Sequence, residues 1–541
     1  SGLFTHEESV LRLPQVPSSV SPPVAFLPEQ RRSKIGIPPM SPLTIIAMGV
    51  LLLVTTQAHA ADSTKGPASP KPTGKSALRT GFAEEVINPE KGVLLAGQFA
   101  RRPNKGVRDD LCVKTVLFQD GDNIGGIVSF DLLFVNRGFI ADIRERLAGE
   151  KLSFGNDLIF CATHVHTGPG IPGPKRTAEE INEIKAKLRA TIEAMADDDP
   201  KKEGHKKWLT FIESREEEGK NRQDYRKYLI DQTVTSIKNA YADLGESSLT
   251  HGSVMSNPFA FNRRYWMKNG TVRTNPGKLN PNIVKPEGPV DKEIGILAVK
   301  KNGRVTLVIA NIANHADSTG GHMVCAGWPG RLEAGIQKQM GYDVPVMTVI
   351  APSGNINHYD VAKEGGYSAY REIGQGYADI VMKGMESLEE LEGSFDAKNQ
   401  TVEIIGREIS DKEAENAKKT VERLKDKKNS PQRILAAELL RFQKNNAGKI
   451  REFELVTLRF GKDLAITSLP GEPFTEVGIA IKKASPFRKT FVVAHAMGIA
   501  GYIPMKECFG RGGYELQPRP MGGCAPDTAQ MLIEKSLESL K

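Results

Sequence analysis

The chain has 541 residues, of which 39% are hydrophobic, 26% charged and 6% aromatic, a balance that excludes a multi-span membrane protein and wholesale disorder. Its 73 Lys plus Arg against 65 Asp plus Glu leave a net charge of +8, spread along the chain, which is no nucleic-acid footprint and assigns no nucleic-acid partner. Five cysteines without close pairing do not describe a disulfide scaffold.

Residues 1–39 are Pro- and Ser-rich without an apolar period and read as an extension ahead of Met40. The run 44–55 is the most apolar in the chain, too short to cross a bilayer comfortably, and it ends in Ala58-His59-Ala60 with Arg31, Arg32 and Lys34 upstream. That is the pattern of a secretory signal cleaved after about Ala60, so a periplasmic, secreted or cell-surface protein is expected; the plainer alternative is an uncleaved anchor. Residues 61–77 read as a flexible leader and 78–541 as one large domain. Strand-length apolar runs at 127–133, 157–163, 305–313, 344–351, 464–469 and 491–496 alternate with helical stretches at 138–147, 225–244, 370–391 and 476–483. The alternation predicts an α/β fold, mixed β-sheets flanked by helices, with strands covered on both faces. Two charged segments, 175–222 and 411–446, read as solvent-facing helical insertions. Cys508 and Cys524 could pair across a Gly-rich loop, while Cys112 and Cys161 are expected as buried thiols. No sequence repeat and no phosphate-binding Gly-rich loop is found.

In α/β folds functional groups gather beyond the carboxyl ends of strands, and three polar clusters stand there. The first is Cys161-Ala-Thr-His164-Val-His166-Thr-Gly-Pro-Gly170, whose imidazoles, two residues apart, point to one side and can approach one ion or one substrate. The second, Asn314-His315-Ala-Asp317-Ser-Thr-Gly-Gly-His322, offers His315 as a ligand or as a hydrogen-bonded structural residue. Its Asp317 either orients an imidazole or caps a turn. The third, Leu469-Pro-Gly-Glu472, supplies an anionic ligand or merely a helix-start acid. Two histidines and a glutamate match a catalytic Zn2+ set, three protein ligands with an open position.

Together His164-Val-His166-Thr-Gly-Pro-Gly, Phe261-Asn-Arg263-Arg264, Val290-Asp-Lys-Glu293, the His315 cluster, Ser353-Gly-Asn-Ile-Asn357, Leu469-Pro-Gly-Glu472 and Gly501-Tyr502-Ile503 resemble, in that order, the neutral/alkaline (non-lysosomal) ceramidase family. The resemblance spans about 78–537, that family's catalytic domain, without its later immunoglobulin-like domain. It implies an exported or membrane-associated zinc amidase cleaving an N-acyl bond, with a small-molecule or lipid substrate and peripheral membrane contact. It also implies His164, His315, Glu472 and Tyr502 as zinc ligands, and His166 and Arg263 as groups at the reacting centre. Without it, a strand-end hydrogen bond, a surface ion pair and core packing would serve for His166, Arg263 and Tyr502.

One departure matters most. Asn357 stands where the family carries its serine nucleophile, and an amide nitrogen, its lone pair delocalised, cannot attack. The expected route is therefore attack by zinc-activated water, since zinc lowers the water pKa from 15.7 to about 7. Asn357 would donate to the oxyanion, His166 or Asp317 would take the proton, and Arg263 would stabilise the developing charge. The alternative is a non-catalytic, zinc-containing ligand-binding relative.

Overall fold

The structure is a computed structural model, and it describes residues 78–541 except 99–100, 174–177, 200, 214–215, 365–368, 428–429 and 520–521. The extension, signal and leader expected over 1–77 lie outside the described residues.

Three β-hairpins organise the chain. Cys112–Asp120 and Asn123–Phe130 turn at Gly121-Asp122, Glu293–Lys301 and Arg304–Ile312 at Asn302-Gly303, and Ile450–Phe460 and Leu464–Ser468 at Gly461. In the second, Asn302 and Gly303 both take the left-handed conformation (φ 51° and 75°) that a two-residue hairpin loop requires. Each hairpin then runs through a helix into a strand parallel to its second arm. Arg137–Gly149 leads to Leu158–Ala162, Gly327–Met340 to Val346–Ile350, and Thr475–Ala484 to Lys489–Val493. Each first arm also pairs antiparallel with an earlier strand, respectively Arg79–Val86, Ser248–Met255 and Phe395–Ile405. One four-stranded unit is thus used three times, the first two widened by the short edge strands Gly245–Glu246 and Glu389–Glu390.

This topology decides where the loops go. Val86 faces Cys112, Met255 faces Glu293 and Ile405 faces Ile450, so the connections 87–111, 256–292 and 406–449 leave their sheets at one end. It is the end at which the parallel strands also finish, because Phe130 pairs with Val113 and Asn311 with Gly295. The sheets meet there: Asn311 Nδ2 donates to the carbonyls of Val349 (3.1 Å) and Val492 (3.0 Å), and Ala494 N–H to that of Ile350 (2.8 Å). Ala162 N–H reaches the carbonyl of His495 at 3.2 Å. Strand residues such as Leu158, Ile309, Ile350 and Ile466 are wholly buried in one core that runs through all three sheets.

Both charged segments are helical: Ala178–Glu193, Lys202–Glu213 and the start of Glu216–Ala242 in the first, Asp411–Arg423 and Pro431–Asn445 in the second. The three large sheets are mixed, as expected, with a single parallel pair each. Three details differ from the sequence reading. The helix expected over 370–391 ends at Met385. Helix Gly327–Met340 was not among the expected helices; Gly327, Pro329 and Gly330 interrupt a helical pattern, although a first helical turn accepts them. Cys508 and Cys524 are free and separately buried: the bridge Gly406–Cys524 turns the second thiol toward the Tyr502 carbonyl, 3.6 Å away. Cys161 is buried as expected and Cys112 half-buried. Among the described residues no helix is long and apolar enough to cross a membrane.

Candidate functional site

The ends of the parallel strands carry the chemistry. His164 and His166 follow Leu158–Ala162, His315 follows Arg304–Ile312, Glu472 follows Leu464–Ser468, and His495 follows Lys489–Val493. His164 (φ 59°) and His495 (φ 52°) both hold left-handed backbones, a conformation uncommon for residues with a Cβ and concentrated at functional sites. Their rings stack, centroids 3.9 Å apart and 15° from parallel.

Three imidazoles converge. The ring nitrogens of His164, His166 and His315 lie within 4.8 Å of one another, a group that could hold a metal ion. In each, Nδ1 is engaged by a main-chain carbonyl: Leu133 for His164 (2.9 Å), Gly97 for His166 (2.9 Å) and Ser353 for His315 (3.1 Å). A carbonyl only accepts, so Nδ1 carries the proton and each Nε2 presents its lone pair to the centre. Burial lowers all three pKa values, that of His166 to about 4, and Arg263 adds to the effect at His315. At neutral pH they are uncharged, as metal ligands must be.

Glu472 completes the cluster. Its Oε2 lies 3.6 Å from His164 Nε2 and 3.5 Å from His315 Nε2, and it is buried with no hydrogen-bond partner. Burial opposes ionisation, but the neighbouring imidazoles when protonated, the permanently charged Arg263 guanidinium and a hydrogen bond from Tyr502 outweigh it and hold this carboxyl below the usual range. The short strand Glu472–Pro473 runs parallel to Tyr502–Ile503 with Glu472 beside Tyr502, which explains how residues thirty apart act side by side. Burial pushes the Tyr502 phenol well up, so it remains a neutral donor.

These separations bear on the metal. Ligands about 2.0–2.1 Å from a tetrahedral ion are ~3.3–3.4 Å apart. The pairs His164–His166 (3.3 Å), His315–Glu472 (3.5 Å) and His164–Glu472 (3.6 Å) approach that edge, and Glu472 Oε2 is an orphaned anion in their midst. The residues present fit a zinc ion.

Around them, Arg263 Nη1 lies 3.4 Å from His315 Nε2, Nη2 donates to the Gly354 carbonyl (2.7 Å), and Nε donates to Glu515 Oε1 (2.8 Å). Asp317 Oδ1 lies 3.4 Å from His166 Nδ1, with its carboxyl raised by burial. Asn357 sits farther along the same loop as Ser353, on a short strand against Phe261–Asn262. Its Nδ2 donates to Asn275 Oδ1 (2.8 Å) and its Oδ1 accepts from Tyr359 N–H (3.0 Å), so its amide is already engaged locally. Sequence reasoning passed over Gly97, Glu515 and His495. Of these only His495 carried a signal, since it closes the apolar run 491–496.

No protein-family model matches the chain, and no curated protein matches it by sequence. Solved structures do. Neutral ceramidase from Pseudomonas aeruginosa superposes with a TM-score of 0.61 at 16% identity, over 86% of this chain and 74% of that one. A ceramidase complexed with C2 does so with a TM-score of 0.60 at 15% identity, over 86% and 75%. The fold is ceramidase-like.

Proposed function

We propose that the protein is a zinc-dependent hydrolase that cleaves an amide, or else an ester, bond of a small-molecule or lipid substrate. The observation that carries this is the convergence of the His164 and His315 imidazoles on the orphaned carboxylate oxygen of Glu472 (3.6 and 3.5 Å), with His166 Nε2 3.3 Å from His164 Nε2, in a ceramidase-like fold. His164, His315 and Glu472 would hold the ion, with Tyr502 beside Glu472. When bound, zinc supplies Lewis-acid polarisation of a carbonyl and eases deprotonation of water. The protein's own part is orientation and charge. The carbonyls of Leu133, Gly97 and Ser353 fix the rings, and Arg263, steadied by Glu515, sets a permanent positive charge beside the centre. His166, neutral and 3.4 Å from Asp317, would take a proton in this reading.

A second reading, a zinc-containing binding protein without turnover, draws support from Asn357, where the resemblance calls for serine and where the amide is bonded to Asn275 and Tyr359. Measuring zinc content together with acid release from panels of N-acyl and O-acyl compounds, with and without chelator, separates the two. The hydrolase reading expects about one zinc per chain and chelator-sensitive turnover, both lost in His315→Ala; zinc without turnover on any compound favours the binding protein. The proposed setting is outside the cytoplasm with peripheral membrane contact, and a mature N-terminus near Ala61 would support it.

A further inference from the structure

We infer that the cavity at the seam between the first two sheets is an effector site for a small primary amine, whose ammonium group pairs with Asp131 and opposes zinc at the neighbouring centre. The opposition rests on the zinc reading above, whereas the binding does not.

The cavity has a volume of about 560 Å³, within the range of about 300–1,000 Å³ of pockets that enclose small organic ligands. One wall comes from the first sheet and the loops at its end, with Lys114, Asp131 and Thr163. The other comes from the helix Gly327–Met340 and the strand that follows it, with Glu333, Ala334 and Val346. Lys114 spans the seam, its ammonium donating to Glu333 Oε2 (2.6 Å) and to the Val346 carbonyl (2.9 Å). Both walls also support the candidate metal centre. On the first, Thr163 precedes His164, and Asp131 lies two residues before Leu133, whose carbonyl anchors the His164 ring. On the second, Trp328 Nε1 donates to the His315 carbonyl (2.9 Å). A ligand that touches both walls therefore touches the supports of two candidate zinc ligands.

The charges inside choose the ligand. Five carboxylates line the cavity against three cations, and two of the cations are committed. Lys114 serves Glu333, the Val346 carbonyl and, at 3.5 Å, Glu84, while Arg331 is paired with Asp109. Asp131 is not committed in this way. It accepts neutral hydrogen bonds from Thr163 Oγ1 (3.1 Å) and from the Cys112 N–H (3.0 Å). Burial raises its carboxyl to about 6, against the pull of the Lys114 ammonium, which stands beyond ion-pair distance. A buried carboxylate without an ion partner is costly, and a cation that brings N–H donors relieves it. An anionic ligand would meet Asp131, Glu333 and Glu84, and a neutral one would leave the charge unpaired. A primary ammonium has three donors and no acceptor, which suits Asp131. Val107, Ala326 and Pro329 offer apolar surface for a short hydrocarbon chain. Zinc held by His164 and His315 is a like charge, so each cation weakens binding of the other by one shared factor.

The test titrates butylammonium and its neutral isostere 1-butanol calorimetrically into the full chain, metal-free and zinc-loaded. In the metal-free protein butylammonium should bind about tenfold more tightly than 1-butanol, or better, as a hydrogen bond to a charged group allows. The ratio should fall toward one in Asp131→Asn, which keeps the shape and removes the charge. Ala334→Trp, which fills the cavity from the helix, should abolish amine binding. Loading the wild type with zinc should weaken the amine about fivefold or more. Equal affinities for amine and alcohol overturn the inference, as does binding of neither, or amine binding unchanged in Ala334→Trp. Amine binding that survives both cavity variants and is lost in Glu472→Gln also overturns it, by placing the amine at the metal centre. An amine affinity indifferent to bound zinc removes the effector role and keeps the site; a chain that binds the amine but no zinc removes the zinc reading and keeps the site.

Discussion

The imidazoles delivered by the first two sheets are held differently from the groups delivered by the third. His164, His166 and His315 each have Nδ1 tied to a main-chain carbonyl. Glu472 Oε2 and both ring nitrogens of His495 are equally buried yet have no hydrogen-bond partner. Repeated topology thus brings two kinds of group to one point. The first two units fix direction, at the expense of a left-handed backbone at His164, and the third supplies an anion that only a cation or a substrate can satisfy. A site ready for a metal needs both, since oriented lone pairs without charge bind weakly and an unpaired carboxylate is unstable in a dry pocket.

Removing the anion is the most severe way to break this division. Zinc at about 1,000 times its dissociation constant should raise the wild-type unfolding free energy by ~4 kcal/mol. In Glu472→Gln affinity should fall more than the ~10–100-fold that loss of an outer partner costs, leaving a gain of ~1 kcal/mol or less. Denaturant titrations with and without zinc measure both, and an undiminished gain would show that the third sheet contributes no ligand. Gly97→Ala tests the anchors instead. A Cβ there would stand 2.7 Å from His166 Cγ and Nδ1, on a residue whose φ of 91° suits glycine, so the ring must move. If His166 serves the reaction rather than the ion, kcat/KM for the best amide should drop about tenfold or more while zinc affinity changes less than threefold. A parallel fall in zinc affinity would place His166 in the ligand set.

Much of this centre was legible because its candidate ligands follow continuous apolar runs. Strands buried on both faces are conspicuous, and the polar residues that end them stand out, as at His164, His315 and Glu472. Arg263 and Tyr502 offered no such contrast and became visible only through the resemblance to ceramidases. The threefold architecture left no sequence trace, since it is written in backbone pairing, and the units end in unlike groups: His-x-His, His and Glu. Glu438, in the pocket beside Tyr502, was hidden for another reason. In a run dense with charge nothing local distinguishes the carboxylate that faces Arg519, eighty-one residues later. Cys508 and Cys524 show the opposite error, a spacing that permits a bond which the packing does not make.

His495 poses the smallest and finest test. Its ring lies on that of His164 at 3.9 Å, burial keeps it neutral, and neither nitrogen has a partner, so in the metal-free protein it behaves as an aromatic surface with two unsatisfied polar atoms. Phenylalanine offers the same stacking plane without those atoms. Each unsatisfied group costs ~1–3 kcal/mol, and the slightly larger ring gives part of that back as crowding. His495→Phe should therefore make the metal-free protein more stable by ~1 kcal/mol in denaturant unfolding, with zinc affinity within threefold of wild type. A variant that gains this stability but no longer responds to zinc would make His495 a ligand, and the third sheet would then supply an imidazole with no carbonyl anchor. Orientation by a main-chain carbonyl would no longer be a requirement of this centre, and the rigidity of the packed strand ends would have to provide it.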